Sequence, residues 1–131
     1  MPRAYVKISV YVPTTAVIRA SDGVHFEAPA RTIRSVVGAL ANLGAGVMGP
    51  YDNVMFITPG QGSFRPIPQV AKPSSGKPGE LYEAPGEVIS FVAPRRHLRR
   101  IIAEIAKNHP YETPHIEVIS VIRHAYDGLP D

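Results

Sequence analysis

The hydrophobic period of this sequence switches between two and about 3.6 in a fixed order, and that order constrains the fold more than any other feature. Residues 4 to 12, "AYVKISVYV", alternate, with Val6, Ile8, Val10 and Val12 on one side and Tyr5, Lys7, Ser9 and Tyr11 on the other. Period two predicts a half-buried strand. Residues 30 to 43, "ARTIRSVVGALANL", carry Ile33, Val36, Val37, Leu40 and Ala41 at helical spacing; Pro29 suits the first turn and Gly44 the end. "NVMFIT" (53 to 58) and "EVISFVA" (87 to 93) read as core strands. Pro94 opens a second helix, "RRHLRRIIAEIAKN", whose stripe is Leu98, Ile101, Ile102, Ile105 and Ala106; Asn108 and Pro110 end it. "HIEVISVIR", 115 to 123, is the last strand.

Strand, helix, strand, strand, helix, strand is the order of a ferredoxin-like α+β sandwich, the split βαβ arrangement. Both helices then pack on one face of an antiparallel sheet. The strands are apolar on both sides: Met55 and Ile57 against Val54 and Phe56, Ile119 and Val121 against Ile116 and Val118. An apolar second face predicts a homo-oligomer. Residues 1 to 131 are expected to form one domain. Within it, "VIRA" and "VHFEA" around "SDG" predict a hairpin at 16 to 28, in an inserted segment 13 to 29. Residues 59 to 86 hold six prolines and five glycines and read as one long loop. Residues 124 to 131 read as a frayed tail.

Composition narrows the classes. Hydrophobic residues make up 44% and charged residues 19%, which suits a globular chain. The formal charge is only +3, and the one basic cluster, Arg95, Arg96, Arg99 and Arg100, has no aromatic residues interleaved, so nucleic acid is disfavoured as a partner. With no cysteine, disulfides, thiolate catalysis and cysteine zinc sites are excluded. No segment has the apolar length of a membrane span or a signal-peptide core, and a cytoplasmic location is expected.

Three segments follow one another in a recognisable pattern: "GAGVMGPYDNVMF" (44 to 56), "GQGSFRP" (60 to 66) and "HPYETP" (109 to 114), with "GKPG" at 76 to 79 between the last two. Together they resemble the inserted domain of the NGG-interacting-factor-three family and the small proteins built from that domain alone. In larger members this domain interrupts a two-metal, hydrolase-like domain. The resemblance implies a fold similar to CutA and PII proteins, trimeric assembly, and an accessory or ligand-binding role; the metal-binding halves have no counterpart in this chain. Thr113 stands where the family pattern has a second glutamate, and Asn53 and Val54 stand where it often has a histidine and a cysteine.

The ligand site expected from these motifs joins the "HPYETP" turn to the glycine-rich segments. His109 and Glu112 would give polar recognition, and Tyr51, Phe64 and Tyr111 would form walls. Gly60 and Gly62 would let a ligand approach the backbone, and Arg65 with nearby N–H groups would hold an anion. The bland alternative has His109 capping a free carbonyl of the helix end, with Pro110 setting the turn. A divalent metal at His109, Glu112 and His115 is a further alternative, although the spacing matches no zinc signature.

The reading that follows is a small oligomeric domain, as a trimer, that binds a small-molecule or anionic ligand or regulates, without catalysis of its own and without a cofactor. A divalent-metal-binding protein or metal-dependent hydrolase is one alternative. An assembly module docking on a larger enzyme is the other.

Overall fold

The computed structural model describes residues 4–121. In chain order its elements are β1 (Tyr5–Pro13), β2 (Ala16–Ala20), β3 (Gly23–Glu27), α1 (Pro29–Ala39), β4 (Phe56–Phe64), β5 (Tyr82–Pro94), α2 (Leu98–Lys107) and β6 (His115–Ser120). Four strands form one sheet in the order β4-β5-β1-β6, with every neighbouring pair antiparallel. β2 and β3 pair only with each other, around the Ser21–Asp22 turn. With that hairpin set aside, the fold is the ferredoxin-like α+β sandwich the periodicity predicts.

The alternation of β1 decides which face the helices cover. Val6, Ile8 and Val10 are fully buried, and their cross-strand partners on β5 are Ala93, Phe91 and Ile89. Onto this face α1 packs Ile33 and Val37 and α2 packs Ile101 and Ile105. Burying each such Val or Ile side chain contributes about 1.5–3 kcal/mol. The opposite face of the sheet carries no helix. There the hydroxyls of Ser9 and Ser90 lie 3.0 Å apart across β1 and β5. Around them Phe56 is 75% exposed and Ile119 56% exposed, with Lys7 and Glu117 between the apolar groups.

Several boundaries differ from expectation, each for a physical reason. β4 starts at Phe56 because Asn53 sits at φ 55, in the left-handed region, which no strand accommodates. β4 and β5 reach into the segment 59 to 86 from both sides, pairing Pro59 with Glu87, Gly60 with Gly86, Gly62 with Ala84 and Phe64 with Tyr82. Backbone pairing needs no side-chain period, so the glycines and prolines concealed it. Only residues 65 to 81 remain outside the sheet. α1 stops at Ala39: the Leu40 N–H is shared between the Val36 and Val37 carbonyls, a tighter turn follows over Ala41–Leu43, and Gly44 closes it at φ 83. At the second helix, Arg95 N–H donates to the Ala4 carbonyl, extending the β1–β5 ladder one step, and α2 proper begins at Leu98. The expected strand residues 122 to 123 and the tail 124 to 131 lie outside the described residues.

Candidate functional site

The turn from α2 into β6 is built around one histidine. At the helix end, the Asn108 side-chain amide donates to the Glu104 carbonyl at 2.7 Å, and Asn108 N–H donates to Ile105. Pro110 then prevents another helical turn. His109 swings inward and is 8% exposed. Its Nε2 lies 2.8 Å from the Tyr11 carbonyl, and its Nδ1 accepts the Tyr111 N–H at 3.2 Å. A carbonyl can only accept, so the proton is on Nε2 and the ring is neutral. Burial pushes its pKa down, and the bond to the Tyr11 carbonyl partly opposes this. The ring thus brackets the turn to β1 with both nitrogens used. It does not cap a helix carbonyl, which was the bland expectation.

Beside this turn, on the helix-free face of the sheet, lies a cavity of about 500 Å³. One wall is the sheet itself, where Thr58, Gly60, Gly62 and Phe64 of β4 alternate onto this face beside Val88, Gly86 and Ala84 of β5. A second wall comes from the connection 65 to 81, through Pro66, Ala71 and Pro73–Ser75. Tyr111, Glu112 and Thr113 close one side, and Tyr11 and His115 another. Such a volume lies in the range of small-molecule sites.

Each wall is held from behind. Phe64 meets Tyr111 edge to face at 5.0 Å and Tyr82 at 4.9 Å. Burial and the neighbouring Tyr82 push the Tyr111 phenol up to about 12, so it stays a neutral donor. The connection 65 to 81 lies against this aromatic group at Gly76, where a side chain would press on Tyr82 and Phe64. Its middle is tied down by Glu112, whose Oε1 accepts the Lys72 N–H at 2.9 Å. Its base is closed by Arg65 Nε donating to the Gly79 carbonyl at 3.2 Å and by Gly79 N–H donating to Pro66. On the far side the Tyr11 and His115 rings stack at 4.0 Å, tilted by 11°. Tyr11 Oη donates to Glu117 at 2.9 Å, and that carboxylate raises the phenol pKa. His115 Nε2 lies 3.5 Å from the same carboxylate.

Of the expected site residues, Tyr111, Glu112, Gly60, Gly62 and Phe64 line the cavity together. His109, Tyr51 and Arg65 are outside its lining. Tyr51 is exposed in a tight turn with Met48. The segment 44 to 54 goes elsewhere: Gly46 N–H donates to the Val92 carbonyl and Gly46 in turn accepts from Val54, covering the part of β5 that β4 leaves unpaired. His109, Glu112 and His115 do not converge as a metal set, and among the described residues no three His, Asp or Glu side chains group to hold a metal ion. The motifs missed Tyr11 and Pro73–Ser75; His115, expected only as a metal ligand, lines the cavity as well. Tyr11 and Gly60 do share a face by alternation, but only the strand register shows that those faces are the same one.

No family model matches the chain. A curated relative from Listeria monocytogenes, named GTP cyclohydrolase 1 type 2 homolog, is 33% identical over 127 residues, which covers 95% of this chain and 30% of the relative. The protein of the same name from Bacillus subtilis is 39% identical over 77 residues, covering 59% of this chain and 20% of its own length. Among solved structures, a Bacillus cereus protein related to NIF3 superposes on 92% of this chain and 26% of its own, with a TM-score of 0.64 at 23% identity. The chain resembles one segment of NIF3-related proteins. CutA from Archaeoglobus fulgidus, titled a periplasmic divalent cation tolerance protein, has the same fold, with a TM-score of 0.56 over 92% of this chain and 86% of its own at 15% identity. The NIF3-related resemblance read from the "HPYETP" and glycine-rich segments, and the CutA-like fold it implied, are thus both found. The chain spans less than a third of the length of these curated relatives. Among the described residues, no helix is long and apolar enough to cross a membrane.

Proposed function

We propose that this NIF3- and CutA-type domain is a cytoplasmic, self-assembling domain that binds a small molecule in the cavity between β4, the connection 65 to 81 and the "HPYETP" turn, and that it regulates rather than catalyses. The observation that carries the reading is the cavity's construction. A continuous wall of three chain segments is fixed by the Glu112–Lys72 bond and the Phe64–Tyr82–Tyr111 aromatic group, so the space exists before anything enters it. Assembly uses copies of the same face: Phe56 and Ile119 supply apolar area, while Lys7 and Glu117 carry opposite charges that can pair between copies.

Native mass spectrometry of the untagged protein, incubated with a cell extract, tests the site. Retained mass that disappears in Tyr111→Ala supports it. Bare protein under every extract condition rejects it.

A second reading, an assembly module for a larger enzyme, is favoured by one observation: the relatives carry the matching segment in chains more than three times as long. Recovery of a hydrolase-like partner with the untagged protein would support it. The divalent-metal reading finds no cluster of ligands among the described residues, and the GTP-directed name of the relatives finds no lysine or arginine in the cavity's lining.

A further inference from the structure

The lining of the cavity restricts what can occupy it. The middle of its sheet wall, at Gly60, Gly62, Gly86 and Ala84, is almost without side chains. At Gly60 and Gly62 an added Cβ would meet nothing within 4 Å, so bare peptide planes face open space there. Both glycines pair regularly with β5 and have ordinary negative-φ or extended backbone, so the turn-forming property of glycine is not what they supply. They supply flatness. At one end of this flat strip stand Phe64 and Tyr111, and at the other the Tyr11–His115 stack. A flat surface flanked by aromatic rings suits a planar ring system, which gains contact with both peptide planes and ring edges.

Charge supplies the second restriction. Two lining residues are carboxylates, Glu87 and Glu112, and none is lysine or arginine among the described residues. Glu87 is paired with Arg34 at 3.4 Å, on the helix-covered side, and Glu112 is held by the Lys72 N–H. An anionic group entering this space would lose water without gaining a cation. The other polar side chains of the lining are uncharged hydroxyls and an amide, those of Thr58, Gln61, Ser63, Ser74, Ser75 and Thr113, beside the Tyr11, Tyr111 and His115 rings, and they suit the edge of a heteroaromatic ring.

We infer that the cavity takes a flat aromatic or heteroaromatic ring that carries no negative charge, and that Gly60 and Gly62 are the residues that select flatness. This rests on the cavity being a ligand site at all, and the test separates the two claims. Quinoline serves as probe, with quinaldate, the same ring bearing a carboxylate, as its anionic counterpart. Each is titrated into the full chain while the backbone amide signals are followed by NMR. The expected result is saturable shifts at Tyr11, Gly60, Gly62 and Tyr111 with quinoline, and at least about tenfold weaker binding of quinaldate. Gly60→Val and Gly62→Val, at positions where an added Cβ would meet nothing within 4 Å, should keep the melting temperature and lose the quinoline shifts. Equal or tighter binding of quinaldate overturns the ligand class and leaves the site standing. Quinoline binding that survives both valines overturns the role of the glycines. No shift at cavity amides with either probe overturns both the inference and the site.

Discussion

His109 shows how a residue can look functional and be structural. Its neutral ring serves two backbone groups, and burial holds its pKa below the ordinary value. At pH above about 6.5 the folded and unfolded chains both carry a neutral imidazole, and the bracket contributes in full. As the pH falls through that value, the unfolded chain takes up a proton that the fold resists, so stability declines until the folded pKa is reached. Urea midpoints measured from about pH 7.5 down to about 5 should therefore fall for the wild type and fall less for His109→Gln. At neutral pH the variant should cost about 1–3 kcal/mol, because a flexible amide replaces a buried ring that holds two backbone groups at once. A second residue-scale case is Gly44, at φ 83 against the Pro94 ring. Gly44→Ala should lower stability by more than about 1 kcal/mol, measured by the same denaturation, since both the backbone and the space resist a methyl. The sequence showed that Gly44 ends a helix. It could not show that His109 turns inward, because the carbonyl it meets lies on β1.

At the scale of elements, the helices were legible and the β4–β5 hairpin was only half so. α1 and α2 bury Ile33, Val37, Ile101 and Ile105, all members of stripes visible in the sequence. β4 and β5 continue through Pro59, Gly60, Gly62 and Pro85, residues that ordinarily end strands. Register and hydrogen bonding hold them, and neither leaves a mark on hydrophobic periodicity. The same limit concealed half of the cavity, whose β4 side carries the motif "GQGSF" while its opposite side, Pro73–Ser75, belongs to no motif. The connection 65 to 81 has its own prediction. Glu112→Ala removes the acceptor for the Lys72 N–H. Amide exchange at Lys72 should accelerate and limited proteolysis should cut within residues 66 to 80, while the global unfolding midpoint changes by less than about 1 kcal/mol.

For the whole molecule, the sheet has one finished face and one unfinished one. The helices seal the first. On the second, Phe56 and Ile119 stand largely in the open beside Lys7 and Glu117. If copies of the chain cover this face, Phe56→Glu should shift the sedimentation coefficient toward that of a single 14.2 kDa chain without lowering the unfolding midpoint of the dissociated protein. An unchanged coefficient would place the assembly contact elsewhere. The edge of the sheet has a different character from its face. β4 is an outermost strand, and Pro59 in its middle has no hydrogen on its nitrogen to offer a neighbour. A ribbon that grows strand by strand must add at both margins, and here one margin is interrupted. Concentrated solutions should consequently favour closed particles of fixed size over fibrils, a difference that turbidity and amyloid-dye fluorescence would register long before any ligand is known.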